Sequence, residues 1–353
     1  MAETSIEIAG RPIGRGLPTY VIAELSANHA GKLETAKAVV RAAAEAGADA
    51  IKLQTYRPDT ITIDVREGAF VVGSGTLWEG RTLYDLYAEA MTPWEWHEEL
   101  ISEAEHLGLH CFSSPFDASA IDFLETLDVP AYKIASFELI DHGLIARAAA
   151  TGKPLIMSTG MASLEEIEEG VAVAQANGNG GVALLRCNST YPAPMDQMDL
   201  RTITAMQERW PLPVGLSDHT MSDITAIAAV ALGACIVEKH IILQRAEGGP
   251  DAAFSLEPSE FAQMVRSIRE VEQVLGTVRF GPAEAERKSL AFRRSLYAVA
   301  DIASGEAISE MNVRSIRPAG GLAPKHLPDI IGRKARQSIK RGTAITWEQV
   351  AAP

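Results

Sequence analysis

A chain of 353 residues with 47% apolar side chains can bury the core of one large domain and a small one, and a formal charge of −14 argues against a general nucleic-acid binder. No run of 18 apolar residues occurs, and the opening "MAETSIEIAGRPIGRG" lacks the apolar stretch of a signal peptide, so a cytoplasmic protein without membrane contact is expected. Cys111, Cys187 and Cys235 sit in apolar runs without metal-ligand spacing, which fits buried, reduced thiols.

Short β-rich runs recur along the first 275 residues: "YVIAEL" (20–25), "AIKLQT" (50–55), "LHCFSS" (109–114), "AYKIAS" (131–136), "PLIMST" (154–159), "VALLRC" (182–187), "PVGLSD" (213–218) and "CIVEKH" (235–240). Stretches with helical apolar spacing lie between them, such as 33–47, 94–108 and 163–178. Continuous rather than alternating apolar strands imply a parallel sheet covered by helices, and eight βα units in this length predict an α/β fold of the (β/α)₈ TIM-barrel type. A doubly wound open sheet is the alternative, but no Gly-rich dinucleotide fingerprint follows the first strand. The long connection 56–92, carrying "FVVGSGTLWEG", reads as a functional cover or a disordered segment.

After residue 275 the pattern changes to short β-like runs with Gly/Pro turns. The expected division is a barrel domain over 1–280, a charged linker over 281–293 and a small β-rich domain over 294–353. Charge divides the same way: residues 1–275 carry 19 Lys and Arg against 39 Asp and Glu, whereas 276–353 carry 13 against 7, which fits two parts that attract one another, with independent surface drift as the alternative.

Nearly every strand ends in chemically capable residues, and strand C-termini are where barrel enzymes build their sites. "LSDHT" ends the seventh strand and "VEKHI" the eighth, which puts His219 and His240 on neighbouring strands and suits a divalent metal with open positions. His29, after the first strand, is placed to reach the same mouth. Lys52 and Lys133 within strand ends are costly to bury without an anion, and Ser114, Ser136, Ser158 and Ser189 add neutral donors, so the ring suits a phosphorylated carboxylate. Two other readings stay open: the lysines pair internally with Glu24 or Glu138, or one forms a Schiff base as in a class I aldolase. Glu24, Glu138 and Asp251 are the carboxylates placed to move protons.

Together, "VIAELSANHAG", "IKLQTY", "FSSPFD", "YKIASFE", "IMSTGM", "LLRCNSTYPAP", "GLSDHT", "EKHI" and "GGPDAAFS" resemble the sialic acid synthase family of phosphoenolpyruvate-condensing enzymes, and the tail with "IRPAGGLAPK" resembles its antifreeze-like, or SAF, domain. Within the family, "TLYDLYAEAMTPWEWHEEL" and "KIASFELID" are most similar to the pseudaminic acid branch. The resemblance implies condensation of phosphoenolpyruvate with an open-chain amino-sugar aldehyde, giving a nine-carbon 2-keto acid and phosphate by C–O cleavage. It assigns His219 and His240 to a divalent metal, Mn²⁺ ahead of Mg²⁺ or Co²⁺. It assigns Lys52, Ser114, Lys133, Ser136, Ser158 and Ser189 to phosphoenolpyruvate, with Tyr191 beside them and Gln54 among the substrate-binding positions. Glu24 and Asp251 match sugar-hydroxyl or proton-handling positions, and Glu138 manages the water that attacks C2. Phe137, where N-acetylneuraminate synthases usually carry glycine, and Arg186, where some carry histidine, argue against N-acetylmannosamine and for 2,4-diacetamido-2,4,6-trideoxy-L-altrose, with the legionaminic acid precursor as the near alternative. The resemblance also implies a domain-swapped homodimer in which Arg317 reaches the partner's sugar site. A noncatalytic carbohydrate-binding protein is the remaining alternative, and the full ring of lysine, histidine and carboxylate positions argues against it.

Overall fold

The computed structural model describes residues 5–352. It divides into two compact units, Met1–Gly276 and Thr277–Pro353.

The first unit opens with a hairpin, β1 (Ser5–Ile8) and β2 (Arg11–Gly14), followed by eight barrel strands: β3 (Tyr20–Glu24), β4 (Ala50–Thr55), β5 (His110–Pro115), β6 (Tyr132–Ile134), β7 (Leu155–Ser158), β8 (Val182–Cys187), β9 (Val214–Asp218) and β10 (Ile236–His240). The barrel is closed, all strands run parallel in chain order, and β10 pairs with β3. Each expected apolar run holds a barrel strand, so the (β/α)₈ expectation stands and the open sheet does not.

Alternation along the strands sorts the core into two layers. Tyr20 and Ile22 of β3 pack with Ala50 and Phe112, whereas Val21 and Ala23 pack with Ala36, Val39 and Val40 of the helix Leu33–Glu45 and with Phe261 of the helix Pro258–Leu275. The hairpin was not expected from the sequence. Its Ile6, Ile8 and Ile13 are buried and join the cluster around Tyr20, Ile22 and Phe112, while Arg11 pairs with Asp49 at 2.5 Å. It covers the N-terminal end of the barrel. Helix starts follow ordinary capping chemistry: Ser163 and Glu166 form a reciprocal capping box at the helix Leu164–Asn177, and Asp117 accepts the Ser119 and Ala120 amides.

The second unit contains 3₁₀ turns over Glu284–Phe292, then the antiparallel pair β11 (Ser295–Ala298) and β12 (Val313–Ile316). Its own core gathers Leu296, Ala298, Ile302, Val313, Ile330 and Ile345. All three cysteines are free and buried, and no helix among the described residues is long and apolar enough to cross a membrane.

Candidate active site

Polar residues gather near the C-terminal ends of the barrel strands, above layers of apolar side chains. Glu24, Lys52, Ser114, Lys133, Ser158 and Glu238 are all buried there. The lysines are paired internally: Lys52 is bonded to Glu24, and Glu238 Oε1 lies 3.6 Å from the Nζ of both Lys52 and Lys133. The counter-charge of Lys133 is therefore Glu238, not Glu138. Lys52 also donates to Ser114 Oγ at 3.1 Å. Burial pushes the Glu24 carboxyl up to about 7 against the pull of Lys52, whereas the two lysines together hold Glu238 below the usual carboxylate range despite its burial.

Three groups point into this interior without a hydrogen-bond partner: Glu24 Oε1, one Glu238 oxygen and the Ser158 hydroxyl. Buried polar atoms are ordinarily satisfied, so their orphan state marks room for a polar ligand. Gly160 adds a cradle. A Cβ there would overlap the hydroxyl of Ser189 and come within 2.7 Å of that of Ser136, to which the Gly160 amide donates at 3.1 Å.

His219 and His240 extend β9 and end β10, and their rings meet with centroids 5.3 Å apart. His219 Nδ1–H donates to the Asn188 carbonyl at 2.8 Å, which leaves Nε2 with its lone pair. His240 Nδ1 is buried with no partner, 4.0 Å from Asp251, and burial with neighbouring cationic groups keeps this imidazole neutral. His219 Nε2 and His240 Nδ1 are the ring nitrogens left for a divalent ion. Among the described residues no three His, Cys, Asp or Glu side chains gather into a fuller ligand set.

Above this layer lies a cavity of about 520 Å³, lined in part by Gln54, Phe137, Glu138, Tyr191, His240 and Asp251. Tyr191 packs on His219 with ring centroids 4.4 Å apart. Asp251 accepts from the Ser26 hydroxyl and from the Ala27 amide at 3.3 Å. Glu138, on the 3₁₀ turn Ser136–Glu138, has one buried unpartnered oxygen, and burial raises its carboxyl to about 7. The 56–92 connection covers this cavity with Ile61, Val72, Trp78, Leu83, Leu86 and Tyr87, as expected of it.

The NeuB family model matches residues 39–280, and the SAF domain model matches 293–351. The chain belongs to the NeuB family. A pseudaminic acid synthase of Campylobacter jejuni is 44% identical over 92% of this chain and 95% of its own length, and one of Helicobacter pylori is 41% identical over 94% and 98%. Among solved structures, the N-acetylneuraminic acid synthetase of Leptospira borgpetersenii superposes with a TM-score of 0.73 at 29% identity, covering 82% of this chain and 95% of that one.

Within this NeuB-family barrel two expectations fail. His29 does not join the histidine pair: its Nδ1 accepts the Gly31 amide at 3.0 Å and its Nε2 donates to the Ala90 carbonyl at 3.3 Å, so both nitrogens are spent on holding a loop. Arg186 is not among the residues lining the cavity; it donates to the carbonyls of Met198 and Cys187 at 3.0 and 2.8 Å and so bears on local backbone. Arg317 follows β12 in the second unit. Reading the sequence for strand-end residues finds Glu238 among the polar ends, on the face of His240 by period-2 alternation, but gives it no role, and it misses Gly160, Ser26 and Phe254.

Proposed function

We propose that this chain is a pseudaminic acid synthase, joining phosphoenolpyruvate to 2,4-diacetamido-2,4,6-trideoxy-L-altrose with release of phosphate. The observation that carries this reading is the near full-length identity to two pseudaminic acid synthases.

Lys52 and Lys133, with Ser114, Ser136, Ser158 and Ser189, hold the carboxylate and phosphate oxygens of phosphoenolpyruvate by charge-assisted and neutral hydrogen bonds. The orphan Ser158 hydroxyl and the Gly160 cradle support that position. The sugar takes the cavity above, with Gln54, Tyr191 and Asp251 toward its hydroxyls and Phe137 toward its terminal methyl. His219 and His240 would hold the divalent metal, Mn²⁺ ahead of Mg²⁺ or Co²⁺, whose contribution when bound is Lewis-acid polarisation of the aldehyde. C3 of phosphoenolpyruvate forms the new bond to the aldehyde carbon, and the aldehyde oxygen gains a proton from the side of Glu24 and Asp251. Water adds to C2 and loses its proton to Glu138. The C2–O bond to phosphate then breaks, leaving the 2-keto acid and inorganic phosphate. A carboxyl that titrates near 7 suits that proton transfer.

The SAF-containing unit completes the site in this reading. The protein acts in the cytoplasm as a swapped homodimer, with a barrel domain over 1–280, a linker over 281–293 and the small domain over 294–353 carrying Arg317 to the partner's sugar. Opposite charge on the two parts supports it.

The deciding experiment measures phosphate release from phosphoenolpyruvate with each sugar in turn. The 6-deoxy-L-altrose derivative is expected to turn over fastest. Faster turnover of N-acetylmannosamine or the legionaminic acid precursor would move the chain to another branch, and no release with any sugar would reject the synthase reading. For the dimer, mixing Arg317→Ala with Glu138→Ala protein is expected to restore part of the activity, and its failure under confirmed subunit exchange would reject the swapped site.

A further inference from the structure

The 56–92 connection ends in a tongue. Val71 bridges Thr82 in antiparallel sense, the Val72 amide donates to the Arg81 carbonyl and the Gly80 amide to the Val72 carbonyl, both at 2.9 Å. Thr82 then caps the helix Leu83–Ala90 by accepting the Asp85 amide at 3.1 Å. Residues 73–80 form the tip, and all but one of them are exposed. That one is Trp78. Its indole N–H donates to the Pro250 carbonyl at 2.9 Å, and its ring lies 5.8 Å from Tyr191 and 6.4 Å from Phe254. Since β3 separates β4 from β10 in the barrel, this side chain ties the connection after β4 to the loop after β10 across an intervening strand.

The tie falls on a peptide that matters. The Pro250 carbonyl belongs to the same planar unit as the Asp251 amide, so fixing one orients the other. The two residues before it, Gly248 and Gly249, have φ of +76° and +122°, and glycines there leave the loop free to swing unless something holds it. Asp251 must be held to meet Ser26 and face His240. The tongue and its helix also line the cavity with Val72, Leu83 and Leu86.

We propose that Trp78 is a latch: a positioning and specificity-determining residue that pins the 71–82 tongue to Pro250, so holding Asp251 in place, and that closes the cavity with an apolar wall against methyl-bearing substituents of the sugar. The second half rests on the synthase reading, because a diacetamido 6-deoxy sugar presents three methyl groups where N-acetylmannosamine presents one. A hydroxyl pressed against that wall loses its bonds to water, whereas a methyl loses nothing.

Trp78→Phe keeps a ring and removes the donor, and Trp78→Ala removes both. Amide hydrogen exchange in Trp78→Phe is expected to be about fivefold faster or more at residues 71–82 and 248–252, and unchanged in the barrel strands. Unaltered exchange at those two segments would overturn the latch, whatever the enzyme's substrate. Trp78→Ala is expected to raise the sugar KM by roughly tenfold with the phosphoenolpyruvate KM within about twofold, and to lower the preference for the 6-deoxy sugar over N-acetylmannosamine. Unchanged sugar KM and preference would overturn the wall. Wild-type protein that turns over no sugar would reject the synthase reading and the wall together, while the exchange measurement still decides the latch. If Trp78→Ala does not fold, Trp78→Gln, which removes the ring and keeps an N–H donor, carries the wall measurement.

Discussion

Lys133 Nζ and Glu238 Oε1 lie 3.6 Å apart inside the barrel, with side chains 2% and 5% exposed. Removing one member of such a pair strands the other as a buried charge, which typically costs about 3–5 kcal/mol, whereas removing both is far cheaper. Glu238 also faces Lys52, but Lys133 has no other acidic partner among the described residues, so Glu238→Met is expected to lower stability in a urea titration by several kcal/mol, and Glu238→Met with Lys133→Met to recover most of that loss. A double variant no more stable than the single one would mean the pair is not energetically coupled.

Lys52 carries the anion-binding assignment most directly. Loss of a charge-assisted hydrogen bond costs roughly 1.5–3 kcal/mol, so Lys52→Met is expected to raise the phosphoenolpyruvate KM by roughly ten- to a hundredfold while the sugar KM moves less. Steady-state kinetics with each substrate varied in turn reads this out.

His219→Ala and His240→Ala are expected to abolish turnover with far-UV circular dichroism and melting little changed. Chelation should do the same to wild-type protein, with recovery on adding back a divalent ion. Full activity after exhaustive chelation would remove the metal from the site.

Glu138 titrates near 7 because burial disfavours its charged form. A carboxyl whose folded pKa lies above its unfolded value near 4.5 binds more protons folded than unfolded, so its contribution to stability falls as pH rises between the two values. Over that window the loss amounts to about 3 kcal/mol at most. Glu138→Gln is expected to flatten the decline in melting temperature between pH 5 and 8 and to abolish the rise of kcat through pH 7. A wild-type melting temperature that rises steadily over this range, with no change in Glu138→Gln, would contradict the assignment.

Gly160→Ala tests the cradle. Its methyl collides with the hydroxyls of Ser189 and Ser136, which can rotate aside, so the fold should lose little while the phosphoenolpyruvate KM rises severalfold. Unchanged KM would place the ligand elsewhere.

The barrel was legible because eight apolar runs, each ending in polar residues, leave few other folds. The hairpin escaped because its strands have four residues each, although "SIEI" alternates exposed and buried positions and precedes a tight turn with Ala9 and Gly10 at positive φ. Strand ends alone do not tell inward from outward: Lys239 lies between Glu238 and His240 yet faces the helices, where it meets Asp218 at 2.7 Å. Strict alternation separates the two sets and puts Glu238 in the inward one. The fates of His29 and Arg186 turn on contacts with backbone carbonyls and amides, which no side-chain pattern announces. Trp78, Ser26 and Phe254 meet the site across the closed sheet, through chain separations that periodicity cannot span.

The N-terminal hairpin has a kinetic corollary. Ile6, Ile8 and Ile13 stopper one end, and among the described residues the ring opens toward the cavity at the other. Whatever settles on Lys52 and Lys133 travels past the seat beneath Trp78 on the way in and again on the way out. Under the proposed assignment two reactants queue: the deeper enters before the shallower, and its residue leaves only after the shallower product has cleared the entrance.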